Sequence, residues 1–217
     1  MVLTLHQYSA LSSYPTPVLS FQALTEASGI PSHKRGTEIA DYTVPAIRLP
    51  DGSHVMESRV IAEALEPLFQ EPCAHLDSPI LEEVQEAWTV IFHAICPLVV
   101  PRMPRDILCE PTTSWFNIER SKMFGMTVDE WGAKHPEEEV RDKARIGFLK
   151  LAVIFKADAS GPFCLGETPS YADFLIVGFL EWCKIAGNDI YQRIVSIDES
   201  FLHVHEACRP WLERNDR

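Results

Sequence analysis

Apolar and polar positions change their rhythm three times along this chain. Residues 2–8 alternate weakly and predict a strand, and residues 18–27 predict a short helix stopped at Gly29 with Pro31 beyond. Residues 32–41 are polar and loop-like. Residues 44–49 form an apolar, β-prone run, and Pro50, Asp51, Gly52 and Ser53 supply turn chemistry before His54, Val55 and Met56 resume an extended pattern. This is a β-hairpin signal. From Ser58 the period becomes helical, with Val60, Ile61, Ala64, Leu65 and Leu68 on one face and Ser58 as the expected N-cap. Pro72 and Pro79 mark residues 70–79 as a linker.

The remainder reads as helix after helix. Residues 80–95 are amphipathic and are expected to stop near Pro97, since Pro97, Pro101 and Pro104 do not fit a regular helix. A short helix over 114–124 is closed by Gly125. Thr127 and Glu130 form a capping box for the next turn. Pro136 suits the first position of a long helix to about 157, with acids early and bases late, as the helix dipole favours. Ser170 and Asp173 make a second capping box. The helix it opens is apolar almost all round and is expected to be central and buried. A last helix over 200–213 carries Phe201, Val204, Cys208 and Trp211.

At 217 residues, the chain can bury a substantial core in one or two small domains. A net charge of −12 argues against nucleic acid and anionic membrane surfaces as partners. No apolar run approaches the roughly 18 residues of a membrane span, and the first residues lack the basic region of a secretion signal. The six cysteines form no Cys-x-x-Cys pair, so a reduced, cytoplasmic protein is expected. Cys96 and Cys183 read as small core residues, and His93 as a packed histidine. His203 and His205 would point apart on a helix, so no metal site is expected.

The chemistry that remains lies in the strand–turn–helix segment. Pro45 cannot donate to a sheet ladder, so it marks an edge, a bulge or a cis bond. A cis bond would turn the Val44 backbone outward, ready to pair with a peptide-like ligand by strand addition. Glu57 can accept from an ammonium group. The Ser58 hydroxyl and the helix start favour a carboxylate.

These residues resemble the thioredoxin-like half of cytosolic glutathione transferases, through the Val-Pro of "YTVPAI", the "DG" turn and the acid–Ser pair of "MESRVIAEALE". "GPFCLGETPSYADF" at 161–174 resembles the helical-domain motif of the same family. "SYP" at 13–15, "ASGIP" at 27–31, "ERSKMFG" at 119–125 and "WLERND" at 211–216 narrow the resemblance to fungal transferases related to bacterial lignin β-etherases. It implies an α+β, two-domain fold: a shortened thioredoxin-like α/β domain over 1–70, then an all-α helical-bundle domain over 79–217. It implies glutathione as co-substrate, held by Val44, Pro45, Glu57 and Ser58, with no metal. It also implies a small hydrophobic electrophile near Trp115, Phe116 or the 97–104 bend, a homodimer, and a setting in fungal secondary metabolism.

The family activates the glutathione thiol with a Tyr, Ser or Cys near its first helix, and a hydroxyl there stabilises the thiolate. One register places "QYSALSSYP" on the family's second strand and leaves about six residues for the first strand and helix. The other puts "VLTLHQY" on strand one and brings Ser12, Ser13 or Tyr14 near the thiol. The catalytic residue is therefore not assigned. The alternative function is a non-catalytic binding or scaffold protein that keeps the fold and lacks thiol activation.

Overall fold

The computed structural model describes residues 45–69 and 72–213. The chain divides into two compact units that part between Ala74 and His75.

In the first unit, β1 (Ala46–Arg48) pairs antiparallel with β2 (His54–Met56), Ala46 facing Met56 and Arg48 facing His54. The turn is closed by the Leu49 N–H donating to the Ser53 carbonyl at 2.8 Å and the Gly52 N–H donating to the Leu49 carbonyl at 2.9 Å. Gly52 takes φ 87°, where a side chain would be strained. The Asp51 carboxyl accepts from the Ser53 hydroxyl and N–H, which holds it below the usual carboxylate range. Pro45 lies just ahead of β1, where its missing N–H breaks no ladder bond. The strand is thus shorter than the apolar run from which it was expected.

Helix α1 (Ser58–Leu65) follows at once. Ile61 is buried. Val60, Ala64 and Leu65 are half-buried, and Leu68 lies past the helix end, 53% exposed, so the predicted stripe is one position too long. The Glu66 carboxylate accepts from the Ala74 N–H at 2.9 Å and from the Cys73 thiol at 3.1 Å, which ties residues 73–74 to the end of the helix.

The second unit is helical. Helix α2 (Pro79–Val99) begins on a proline whose missing N–H is of no consequence in the first turn. It does not stop at Pro97. That residue is buried inside the helix, forgoes one backbone bond, and the helix ends two residues later. The expected break comes after it, in a bend that carries Pro101 and a short π-helical turn, Met103–Ile107. Helix α3 (Thr112–Phe124) ends on Gly125 at φ 68°. Among the described residues nothing lies within 4 Å of where a Cβ at Gly125 would sit, so Gly125→Ala should lose about 1 kcal/mol through backbone strain alone, measurable by urea denaturation. Helix α4 (Val128–Ala133) carries the predicted capping box: the Thr127 hydroxyl accepts from the Glu130 N–H, and the Glu130 carboxylate accepts from the Thr127 N–H. Helix α5 (Glu137–Phe155) takes Pro136 as its N-cap, one step outside the expected position, with Glu137, Glu138 and Glu139 in the first turn.

Helices α2 and α5 meet along Leu81, Val84, Ala87, Ile91 and Ile95 on one side and Ala144, Phe148, Leu151 and Phe155 on the other. Gly147 permits the approach: a Cβ there would stand 2.5 Å from Ile91 Cγ1 and 2.9 Å from the Ala87 carbonyl oxygen. Helix α6 (Tyr171–Ala186) is central and buried on most sides, as its composition predicts. Its capping box is present. The Asp173 carboxyl, wholly buried, accepts from the Ser170 N–H at 2.8 Å, the Ser170 hydroxyl at 2.6 Å and the Cys164 N–H at 2.7 Å.

The chain then forms α7 (Asn188–Val195), which the sequence reading did not assign, and α8 (Ser200–Ala207) and α9 (Arg209–Leu212). The last two were expected as one helix. Pro210 has no N–H for the Glu206 carbonyl, and the chain restarts at Cys208. Phe201 meets Phe148 at 5.6 Å and Phe155 at 6.3 Å, both edge-on, which centres the core. Arg102 grips Asp189 through two hydrogen bonds, of 2.6 and 2.9 Å, and so joins the bend to α7.

Candidate functional site

The hairpin and α1 bring three of the four predicted glutathione residues into one unit. The register pairs Ala46 with Met56, so Pro45 and Glu57 lie one step further along, at the same open end of the hairpin. Pro45 is buried, Glu57 half-buried and Ser58 exposed. Val44 lies outside the described residues, as do the geometry of its bond to Pro45 and the thiol-site candidates Ser12, Ser13 and Tyr14.

Glu57 makes the junction. It adopts φ 72° and ψ 127°, a conformation that L-residues seldom take. Its carbonyl accepts from the Ile61 N–H at 2.8 Å, and Ser58 is already helical. Glu57, not Ser58, is therefore the N-cap, and among the described residues no side chain caps the start. The expectation of a Ser58 cap is corrected for a physical reason. The chain passes from strand to helix within one residue, and one positive φ makes that turn. Such strain, on the order of 1–3 kcal/mol, persists only where the surroundings over-determine it. It leaves the Ser58 hydroxyl at a helix start, beside a carboxylate.

In the helical unit, Trp115 and Phe116 are half-buried on α3, and Arg120 sits 5.2 Å above the Phe116 ring. His93 is exposed rather than packed, because its position on α2 faces away from the α5 seam. His203 and His205 do face different surroundings: His203 is exposed, and His205 is buried. His205 Nδ1 is hydrogen-bonded to the Tyr191 hydroxyl at 3.0 Å, and its Nε2 to the Glu181 carboxylate at 2.5 Å. That bond holds Glu181 below the usual carboxylate range, with Lys184 assisting. The link among α6, α7 and α8 was not foreseen. The signal was there in Ile190, Tyr191 and Ile194, whose spacing marks a buried helix face. Cys183 is a core residue, while Cys96 is half-buried. Among the described residues no group of three or more His, Cys, Asp or Glu could hold a metal ion, and no helix is long and apolar enough to cross a membrane.

Residues 84–211 match the family described as glutathione S-transferase, C-terminal domain, and the chain belongs to the glutathione S-transferase superfamily. A glutathione S-transferase-like protein of Aspergillus flavus, ustS, is 28% identical over 231 residues, which span 93% of this chain and 76% of the relative. Among solved structures, the glutathione S-transferase CsGST63524 of Ceriporiopsis subvermispora, in complex with glutathione, superposes with a TM-score of 0.75 at 22% identity, covering 93% of this chain and 84% of the other. Glutathione transferase GSTFuA3 from Phanerochaete chrysosporium gives a TM-score of 0.76 at 18% identity, covering 93% and 83%. The fold is accordingly the α+β glutathione transferase fold, a thioredoxin-like domain followed by a helical bundle.

Proposed function

We propose that this protein is a glutathione transferase-like enzyme. Residues 1–70 would form its glutathione-binding domain and 79–217 its helical domain. It would bind glutathione at Val44, Pro45, Glu57 and Ser58, and conjugate it to a small hydrophobic electrophile or use it to cleave or isomerise one. The Val44 backbone would pair with the glutathione peptide, Glu57 would accept from its ammonium, and Ser58 with the α1 start would take its carboxylate. In conjugation the glutathione sulfur, as thiolate, forms a bond to an electrophilic carbon. The electron pair of the broken bond leaves with a departing group or takes up a proton. A cytoplasmic homodimer acting in fungal secondary metabolism accompanies this reading.

The observation that carries it is the positive φ of Glu57 at a strand-to-helix junction that shares a hairpin end with Pro45. Strain held at that place has an evident use if it aims an acid and a hydroxyl at one ligand end. The relative named glutathione S-transferase-like and the neighbour in complex with glutathione support the same ligand.

The test is a calorimetric titration of glutathione into the full chain and into Glu57→Ala and Ser58→Ala. Saturable binding, weakened at least tenfold in each variant, is expected, about 1.4 kcal/mol or more. No heat from a folded wild-type chain overturns the proposal. Binding without turnover of a chlorinated nitrobenzene assigns the protein to non-catalytic binding instead.

A further inference from the structure

Helix α3 fully buries none of its residues and packs chiefly on α4 and the π-helical turn. Its apolar side chains therefore add little to the core. Phe116, Arg120 and Met123 recur at the four- and three-residue spacing that shares a helix face. They touch in that order. The Arg120 guanidinium lies over the Phe116 ring, 5.2 Å from its centre, and its Nη1 reaches Met123 Sδ at 4.0 Å. On α2, burial pushes the Cys96 thiol up to about 11, and the charge of Arg120 draws it partly back. The guanidinium thus stands near the C-terminal end of α2, where the chain enters the bend.

Arg59, Arg102, Arg105, Arg141 and Arg209 each hold a carboxylate. Arg120 holds none among the described residues, although acids outnumber bases 31 to 19 in the chain. Glu119, its neighbour in sequence, is taken by Lys122 at 2.6 Å. Arg120 is also half-buried, so it has given up part of its water. The ring face beneath it offsets part of that loss but uses none of its N–H donors. Those donors form a planar fork that fits a carboxylate. The Phe116 ring and the Met123 thioether beside it offer cover to an aryl group. An inorganic anion would leave that cover wet, and a neutral electrophile would leave the fork unused.

We propose that Arg120 is a specificity-determining residue that favours an aromatic electrophile carrying a carboxylate, with the carboxylate on the Arg120 fork and the aryl body along Phe116 and Met123. The inference rests on the glutathione transferase reading above and names the substrate class within it.

The test uses two conjugates of glutathione that differ only in charge, S-(para-carboxyphenyl)glutathione and S-(para-carbamoylphenyl)glutathione. Each is titrated by calorimetry into the full chain and into Arg120→Gln, with glutathione itself titrated alongside. Binding of a finished conjugate reads the electrophile contacts without requiring turnover. The wild type should bind the acid at least about tenfold more tightly than the amide, the value of a hydrogen-bonded charge pair. In Arg120→Gln the two should bind alike, while the affinities for the amide and for glutathione stay as in the wild type. Thermal unfolding checks that the variant is folded. The proposal is overturned by equal affinity for acid and amide in the wild type, or by an acid preference that survives in the folded variant. It is overturned too if Arg120→Gln weakens glutathione or the amide as much as the acid, which is the mark of a structural role. A folded wild type that binds no glutathione overturns the transferase reading and this inference together. Loss of the acid preference alone overturns only this one.

Discussion

Asp173→Ala should destabilise the helical unit by about 3–5 kcal/mol, the largest loss expected from any single polar side chain described above. The carboxyl is wholly buried and takes three hydrogen bonds, two from Ser170 and one from Cys164. Alanine removes the acceptor and leaves two buried backbone N–H groups with no partner. Each such orphan costs about 1–3 kcal/mol, while the Ser170 hydroxyl can rotate to seek another. Asp173→Asn separates this cause from mere loss of packing. Its shape is the same, but only one of its two terminal atoms accepts. Either the Ser170 end or the Cys164 end then faces an NH₂ group. We therefore expect asparagine to be clearly destabilising as well, though less so than alanine. Urea denaturation followed by circular dichroism reads both. An asparagine variant as stable as the wild type would show that the three hydrogen bonds contribute little.

Gly147→Val should cost about 2–4 kcal/mol for the opposite reason, since it adds atoms where there is no room. A Cβ at this position meets Ile91 at 2.5 Å, and that side chain can give way. It also meets the Ala87 carbonyl oxygen at 2.9 Å, and a helix backbone cannot. Helices α2 and α5 must then move apart, which loosens the seam from Leu81 to Ile95. Gly147→Ala adds the same Cβ but recovers nearly 1 kcal/mol of helix propensity, so its loss should be smaller. The urea midpoint should fall in the order wild type, alanine, valine, at unchanged slope.

What could be read from the sequence was what neighbouring residues decide between themselves. The Asp51–Gly52 turn, the Gly125 stop and both capping boxes involve partners within four residues, and the structure has them where the pattern puts them. The buried character of α6 was legible because almost every position on it is apolar. What escaped depends on distant partners. Pro97 is tolerated inside α2 because the flanking residues Ile95 and Val99 are buried in the core, and packing outweighs one lost backbone bond. Helix α7 is short, and its first turn is joined to the bend by Arg102, 87 positions away, gripping Asp189. At the candidate site, the acid–Ser pair and its place between strand and helix were legible. The exchange of roles was not, because Glu57's positive φ follows from how tightly the hairpin meets α1 rather than from its own preference.

The burial of the cysteines has a practical consequence. Cys164, Cys183 and Cys208 are shut in the core, whereas Cys73 and Cys109 are exposed. Burial pushes the Cys208 thiol up to about 12 and the half-buried Cys96 thiol up to about 11, with Cys164 and Cys183 higher still. An alkylating reagent therefore reaches the exposed sulfurs first and finds inert sulfur inside. Each inner thiol becomes modifiable only while its own segment is open, and these segments flank or lie within α6 and join α8 to α9. Peptide masses collected over time would then record which helix lets go first, using clocks the chain already carries.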